Sequence, residues 1–190
     1  AQSIEIPTGK QDYYPALYGG INALHFQIKG VQKETLEVSE TFLTKLNQSL
    51  ILSFTGESHF SGTNNWNMMK AYIENIGSTR ELLRHIKQTA YQMREALLAE
   101  NFGQLIELLH QEWNNRKQLA QGVTTPQIER LIEAATYQGA LASKICGAGG
   151  GGCLLTLCET GNRAKVIEAL EANGATILPA EIVKYGMHVV

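Results

Sequence analysis

Lys144-Ile145-Cys146-Gly147-Ala148-Gly149-Gly150-Gly151-Gly152-Cys153 carries five glycines in ten residues. Glycine reaches left-handed backbone conformations without steric penalty and lets a backbone approach a ligand closely. Successive N–H groups in such a loop can form a concave anion site. Flexible linkers are also glycine-rich, but they mix in serine and other polar residues. Here Ile145 precedes the glycines and Leu154-Leu155 follow at once, so the loop is expected to be packed at both ends. Gly147 to Gly152 formally match G-x-G-x-x-G. A dinucleotide fingerprint needs a strand before its glycines and a helix after them. In this chain a helix-like segment is expected before and a strand after, and no Gly-Lys-Ser/Thr ending follows.

A chain of 190 residues suffices for one or two domains, and 44% hydrophobic residues can build a core. The net charge of −2 gives no basic surface for nucleic acid. No apolar run reaches the ~18 residues of a membrane-spanning helix. Ala1-Gln2-Ser3-Ile4-Glu5 lacks the regions of a signal peptide, and without an initiator methionine the chain is expected to be less than an intact gene product. Cys146, Cys153 and Cys158 are odd in number and lack C-x-x-C spacing. They are expected to be reduced thiols of a cytoplasmic protein, not a metal site or disulfide framework. The five histidines are scattered, and no metal site is expected.

Around the loop, hydrophobic spacing predicts the elements. A short helix from Tyr13 to Tyr18 starts at Asp12 and stops at Gly19-Gly20. A strand follows with Leu24, Phe26 and Ile28 on one face, then a second over Glu34 to Val38, joined through Lys29-Gly30. Residues 49–56 form a buried strand, and a polar loop from Glu57 to Asn67, including Ser58 and His59, leads into a helix from Trp66 to Asn75. A strand running into such a loop is a common place for ligand contacts, although an ordinary solvated loop reads equally well. Helices are expected over Thr79 to Ala99 (Leu82, Ile86, Ala90, Met93 and Leu97 inward), over Phe102 to Ala120, and after Thr125 as cap and Pro126 at the first position. Beyond the glycines come a strand over Cys153 to Cys158, a helix capped by Asn162 and stopped by Gly174, and strands over Ala175 to Leu178 and Glu181 to Val190. The order predicts an α+β fold, an antiparallel sheet with helices on one face.

Gly9-Lys10-Gln11-Asp12-Tyr13-Tyr14, followed by Tyr18-Gly19-Gly20, completes a second motif. The Lys144–Cys153 stretch resembles the third motif of the galactokinase, homoserine kinase, mevalonate kinase and phosphomevalonate kinase superfamily, the GHMP kinases. The Gly9–Gly20 stretch resembles the segment bearing that family's catalytic aspartate, most closely in its heptose-phosphate kinase branch. Order and spacing fit over nearly the whole chain. The resemblance implies a ferredoxin-like C-terminal domain over residues 49–190 and, over residues 1–48, the tail of an N-terminal α+β kinase domain. It implies an ATP- and Mg2+-dependent kinase, acting in carbohydrate metabolism, that phosphorylates a sugar or sugar-phosphate hydroxyl: heptose phosphate first, galactose or fucose next, mevalonate less so.

By residue chemistry alone Asp12 is a helix N-cap. By resemblance it is the catalytic carboxylate, kept ionised by the helix dipole, that orients a hydroxyl and accepts its proton. Lys10, Gln11, Gly19 and Gly20 inherit substrate binding. Gly147, Ala148, Gly149, Gly150 and Gly151 inherit the glycine loop near phosphate and acceptor. Lys144 reads as a surface lysine at a helix C-terminus. Tyr13 stands where the branch has glutamine, and Pro15 and Leu17 where it has small residues, which opens the question of the acceptor. The family's first motif and its Pro-x-x-x-Gly-Leu-Gly-Ser-Ser phosphate loop have no match and would lie upstream of Ala1. The chain alone is therefore expected neither to bind ATP tightly nor to catalyse, and its missing partner is the N-terminal kinase segment. Neither a membrane nor a nucleic-acid partner is expected. The alternative is a non-catalytic ferredoxin-like module that binds a ligand or mediates assembly.

Overall fold

The computed structural model of the protein describes residues 9–57 and 61–187. Helix α1 (Tyr13–Tyr18) leads into a hairpin of β1 (Ile21–Gln27) and β2 (Gly30–Leu36). The two strands pair antiparallel from Ile21↔Leu36 to Gln27↔Gly30, so the turn is Ile28-Lys29 and Ile28 is exposed instead of continuing the strand. Helix α2 (Glu40–Ser49), not anticipated from sequence, starts where Ser39 Oγ accepts the Phe42 N–H at 3.1 Å.

The larger sheet is built from β3 (Leu50–Phe54), β4 (Ala140–Ile145), β5 (Cys153–Cys158) and β6 (Thr176–Leu178). Its order is β4-β5-β3-β6, and every pairing is antiparallel. Helices α3 (Ser61–Ile73), α4 (Thr79–Leu98), α5 (Phe102–Arg116) and α6 (Pro126–Tyr137) fill the first crossover, and α7 (Arg163–Ala172) the second. Reduced to its strands, this is the β-α-β-β-α-β ferredoxin-like arrangement.

Alternation along β5 assigns the faces, because successive strand side chains point opposite ways. Leu154 and Cys158 face a core with Ile128 and Leu131 of α6 and Val166 and Leu170 of α7. Leu155 and Leu157 face Ile106 and Leu109 of α5. The fold is α+β with antiparallel sheets, and helices cover both faces where one helical face was expected. Ile128, Leu131, Ile145, Leu154 and Leu170 are wholly buried, each stabilising the fold by about 1.5–3 kcal/mol. Helix α2 packs Phe42 and Leu46 against Ala96, Leu105 and Leu108 of α4 and α5.

Several boundaries move. The segment before the glycines is strand β4, not a helix end. Its Ala140, Ala142 and Ser143 carry no β-branched signal, and tertiary pairing decides. Helix α3 begins at Ser61, so the polar stretch expected as loop is mostly helix, while Ser58 and His59 lie outside the described residues. The inward face of α4 passes through Leu82, Thr89 and Ala96, leaving Ala90 exposed. Helix α5 ends at Arg116, short of Ala120. Asn162 precedes α7 without a side-chain cap bond. Residues 181–187 form no strand and strap α1 and α2 instead. The Gly20 N–H donates to Val183 O at 2.7 Å, Met187 N–H to Ala16 O at 3.0 Å, and Ile182 N–H to Asn47 Oδ1 at 2.8 Å. At the crossing a β-carbon on Gly19 would overlap the Tyr185 backbone, and one on Gly186 the Leu17 carbonyl.

Candidate active site

The glycines form the tip of a hairpin joining β4 to β5. The ladder Ile145↔Leu154 continues with the Cys146 N–H donating to Cys153 O at 2.8 Å. Gly147, Gly149, Gly150, Gly151 and Gly152 all have positive φ, which a glycine-rich sequence alone could supply. Two neighbouring loops clamp the tip. Gly150 N–H donates to Val123 O at 2.8 Å and Gly152 N–H to Glu57 O at 2.9 Å. A β-carbon at Gly149 would overlap the Val123 carbonyl, and one at Gly151 would stand 2.6 Å from Glu57 O. The amides of Gly147, Ala148, Gly149 and Gly151 find no acceptor among the described residues. The hairpin thus spends some amides on its own frame and leaves others without a protein acceptor among the described residues; of these Gly147 is exposed and Ala148 half-buried, while Gly149 and Gly151 are buried.

The clamping loops are themselves fixed. Thr55 N–H donates to Gly152 O at 2.9 Å, and Thr55 Oγ1 donates to Glu57 O at 3.2 Å. Thr125 Oγ1 accepts the Ile128 N–H at 3.2 Å, capping α6 as expected, and donates to Glu57 Oε2 at 3.2 Å. Buried Asn64 donates to Gly122 O at 3.1 Å. Sequence reasoning missed these supports, since none belongs to a motif.

Asp12 stands at the N-cap of α1 with its side chain exposed and capping no N–H, so the cap reading does not hold. Its nearest side-chain partner is Gln11, whose Nε2 lies 3.5 Å from Asp12 Oδ2. Although Cys146 is exposed by surface area, the surrounding protein desolvates its thiol and raises it above its ordinary value of 9.0; Lys144 opposes this, and Cys153, Asp12 and Glu112 add to it. The negative charge of Asp12 thus bears weakly on the glycine hairpin. Gly9, Lys10 and Gln11 also line one wall of a cavity of about 580 Å³, faced by Phe26, Gln27 and Val31 of the β1–β2 hairpin. Gly19 and Gly20 lie at the far end of α1, where they accommodate the 181–187 strap.

Lys144 lies within β4, not at a helix end, and its Nζ is 2.8 Å from Glu112 Oε2. Glu112 is 6% exposed and also binds Arg116 Nε one turn along α5. A carboxylate on the apolar stripe of α5, four residues before an arginine, is a sequence signal for the Glu112–Arg116 pair, and no local signal points to Lys144.

Residues 93–176 match the family model described as GHMP kinases C terminal. Over that span, somewhat less than half of its length, the chain is similar to the C-terminal domain of the GHMP kinases. The chain is 27% identical over 197 residues to the D-glycero-alpha-D-manno-heptose 7-phosphate kinase of Campylobacter jejuni, covering 98% of this chain and 55% of that protein. It is 30% identical over 144 residues to a mevalonate kinase of Thermococcus gammatolerans, covering 62% of this chain and 41% of the relative. It superposes on a D-glycero-D-manno-heptose 1-phosphate kinase of Bacteroides thetaiotaomicron with a TM-score of 0.68 at 25% identity, over 97% of this chain and 49% of that one. The chain spans about half the length of these relatives.

Proposed function

We propose that this chain is the C-terminal part of an ATP-dependent kinase that transfers the γ-phosphoryl group to a sugar or sugar-phosphate hydroxyl, with heptose phosphate first and galactose or fucose next. The similarity of 98% of this chain to a D-glycero-alpha-D-manno-heptose 7-phosphate kinase carries this proposal, and the weak electrostatic influence of Asp12 on Cys146 supports it. Residues 1–48 would belong to the N-terminal kinase domain and residues 49–190 to the C-terminal one. Phosphoryl transfer has a loose transition state, so catalysis rests on positioning and charge. The Asp12 carboxylate would orient the acceptor hydroxyl and take its proton. Exposed Lys10, beside the 580 Å³ cavity, supplies a cation for an anionic acceptor, and Gln11 a hydrogen-bonding amide. Gly19 and Gly20 would act on substrate only through the placement of α1.

The unengaged amides of Gly147 and Ala148 would suit phosphate oxygens, whereas Gly149 and Gly151, buried against Val123 and Glu57, and Gly150, whose amide is engaged by Val123, would serve the frame. ATP supplies the phosphoryl group and Mg2+ neutralises its charge. Among the described residues no three metal-ligating side chains converge, so Asp12 would be at most one ligand and the others would come from the N-terminal kinase segment. Such an enzyme would work in the cytoplasm. No described helix is long and apolar enough to cross a membrane.

The test is ATP consumption by the gene's longest reading frame against a panel of sugars and sugar phosphates, with Asp12→Asn beside it. Turnover of one acceptor, lost in the variant with the fold intact, is expected. Ligand binding without turnover in either form would replace the kinase with a binding module.

A further inference from the structure

Cys146 and Cys153 close the base of the glycine hairpin as directly opposed residues. They continue the β4–β5 ladder one step beyond Ile145↔Leu154, with the Cys146 N–H bound to Cys153 O at 2.8 Å. Opposed residues of an antiparallel ladder point their side chains to the same face. A hydrogen-bonded pair holds its Cα atoms about 5.5 Å apart, within the roughly 4.4–6.8 Å that a disulfide spans, but its Cβ atoms lie beyond the about 3.5–4.5 Å of a relaxed bridge, so closure must draw the mouth of the hairpin together and leaves a bond that is easily reduced. Both thiols are free; Cys146 is exposed and Cys153 half-buried. Cys158 cannot join them. It is wholly buried, at the far end of β5, with its Sγ donating to Ser49 O at 3.6 Å.

We propose that Cys146 and Cys153 are a reversible modification site, a dithiol that hydroperoxides convert to a disulfide across the mouth of the glycine hairpin. The Cys146 thiolate attacks one peroxide oxygen; the O–O bond breaks and a sulfenic acid forms. The Cys153 thiolate then attacks that sulfur, the S–O bond breaks, and water leaves. In sum two thiols and one hydrogen peroxide give one disulfide and two waters. The groups facing Cys146 set the pace. Lys144 favours its thiolate, while Asp12, Glu112 and Cys153 oppose it together with burial. Below the raised thiol value the thiolate fraction, and with it the oxidation rate, rises about tenfold per pH unit. Closure would narrow the base of the glycine hairpin. Dithiol reductants would reopen it by exchange.

The test uses the 190-residue protein and no turnover assay, so it stands apart from the kinase proposal. Hydrogen peroxide is expected to remove two hydrogen atoms from the intact mass, leave one titratable thiol after denaturation, and link the Cys146 and Cys153 peptides. Dithiothreitol should restore all three thiols. Cys153→Ser should abolish the two-hydrogen loss and leave Cys146 as a sulfenic acid that dimedone traps. Three persistent thiols in the treated native protein, a linkage through Cys158, or linkage only between chains would each overturn the proposal without recourse to any variant.

Discussion

Gly147 and Gly149 stand two positions apart in one hairpin under different constraints. Both have positive φ, but a β-carbon at Gly147 would meet open space while one at Gly149 would overlap the Val123 carbonyl. Gly147→Ala should cost about 1–2 kcal/mol, the left-handed penalty alone. Gly149→Ala should cost about 2–4 kcal/mol, because the clamp must also open. Urea unfolding of both variants checks the order, and equal losses would mean that Val123 gives way freely. Lys144→Met leaves the buried Glu112 with Arg116 only. We expect a loss of about 2–3 kcal/mol, below that of a fully buried pair because Lys144 keeps some contact with water, again read from urea unfolding. Single residues were unevenly legible. Thr125 and Pro126 announce a helix start through local chemistry. Lys144 does not announce its partner, because Glu112 lies on another element brought near only by the folded sheet.

Elements with strong local patterns were legible and those decided by partners were not. The long helices and β5 follow from periodicity. Strand β4, half of it alanine and serine, exists because β5 lies beside it. The C-terminal segment reads as a strand but finds α1 and α2 instead of a sheet edge. The β1–β2 hairpin is too small to be stable alone, and an ion pair ties it to α4. Arg94 Nε reaches Glu34 Oε2 at 2.7 Å, and a second guanidinium nitrogen reaches Oε1. Hydrogen bonding to Arg94, aided by His25, holds the Glu34 carboxyl below its ordinary value of 4.5. A lowered folded value means that the contribution is complete above the unfolded value and is lost as pH falls through the folded one. The stability difference between the native protein and Arg94→Gln should therefore be constant from pH 5 to neutrality and shrink on acidification below about 4.5. Denaturation at a series of pH values checks this, and a gap that widens in acid would refute it.

At the scale of the molecule, the aspartate motif depends on the other end of the chain. Helix α1 buries no side chain of its own; it is held by the Gly19–Gly186 crossing and by the bonds to Val183 and Met187. Gly186→Val should undock α1 while sparing the sheet. Amide exchange is expected to speed up for residues 13–18 and to stay unchanged for β5. Uniform acceleration would show instead that the strap supports the whole fold. That Asp12 and the glycine hairpin belong to one site is implied by the family resemblance, since no local pattern links Asp12 to Cys146. The strand order β4-β5-β3-β6 has a further consequence in time. Strand β3 is made before both its neighbours, β5 and β6, which come after four more helices. Until then its two edges stay open, and long-range pairing of this kind folds slowly. A nascent chain would thus hold α4 and α5 as a local helical pair while β3 waits, exposed to other unfinished chains, for β5 and β6 to leave the ribosome.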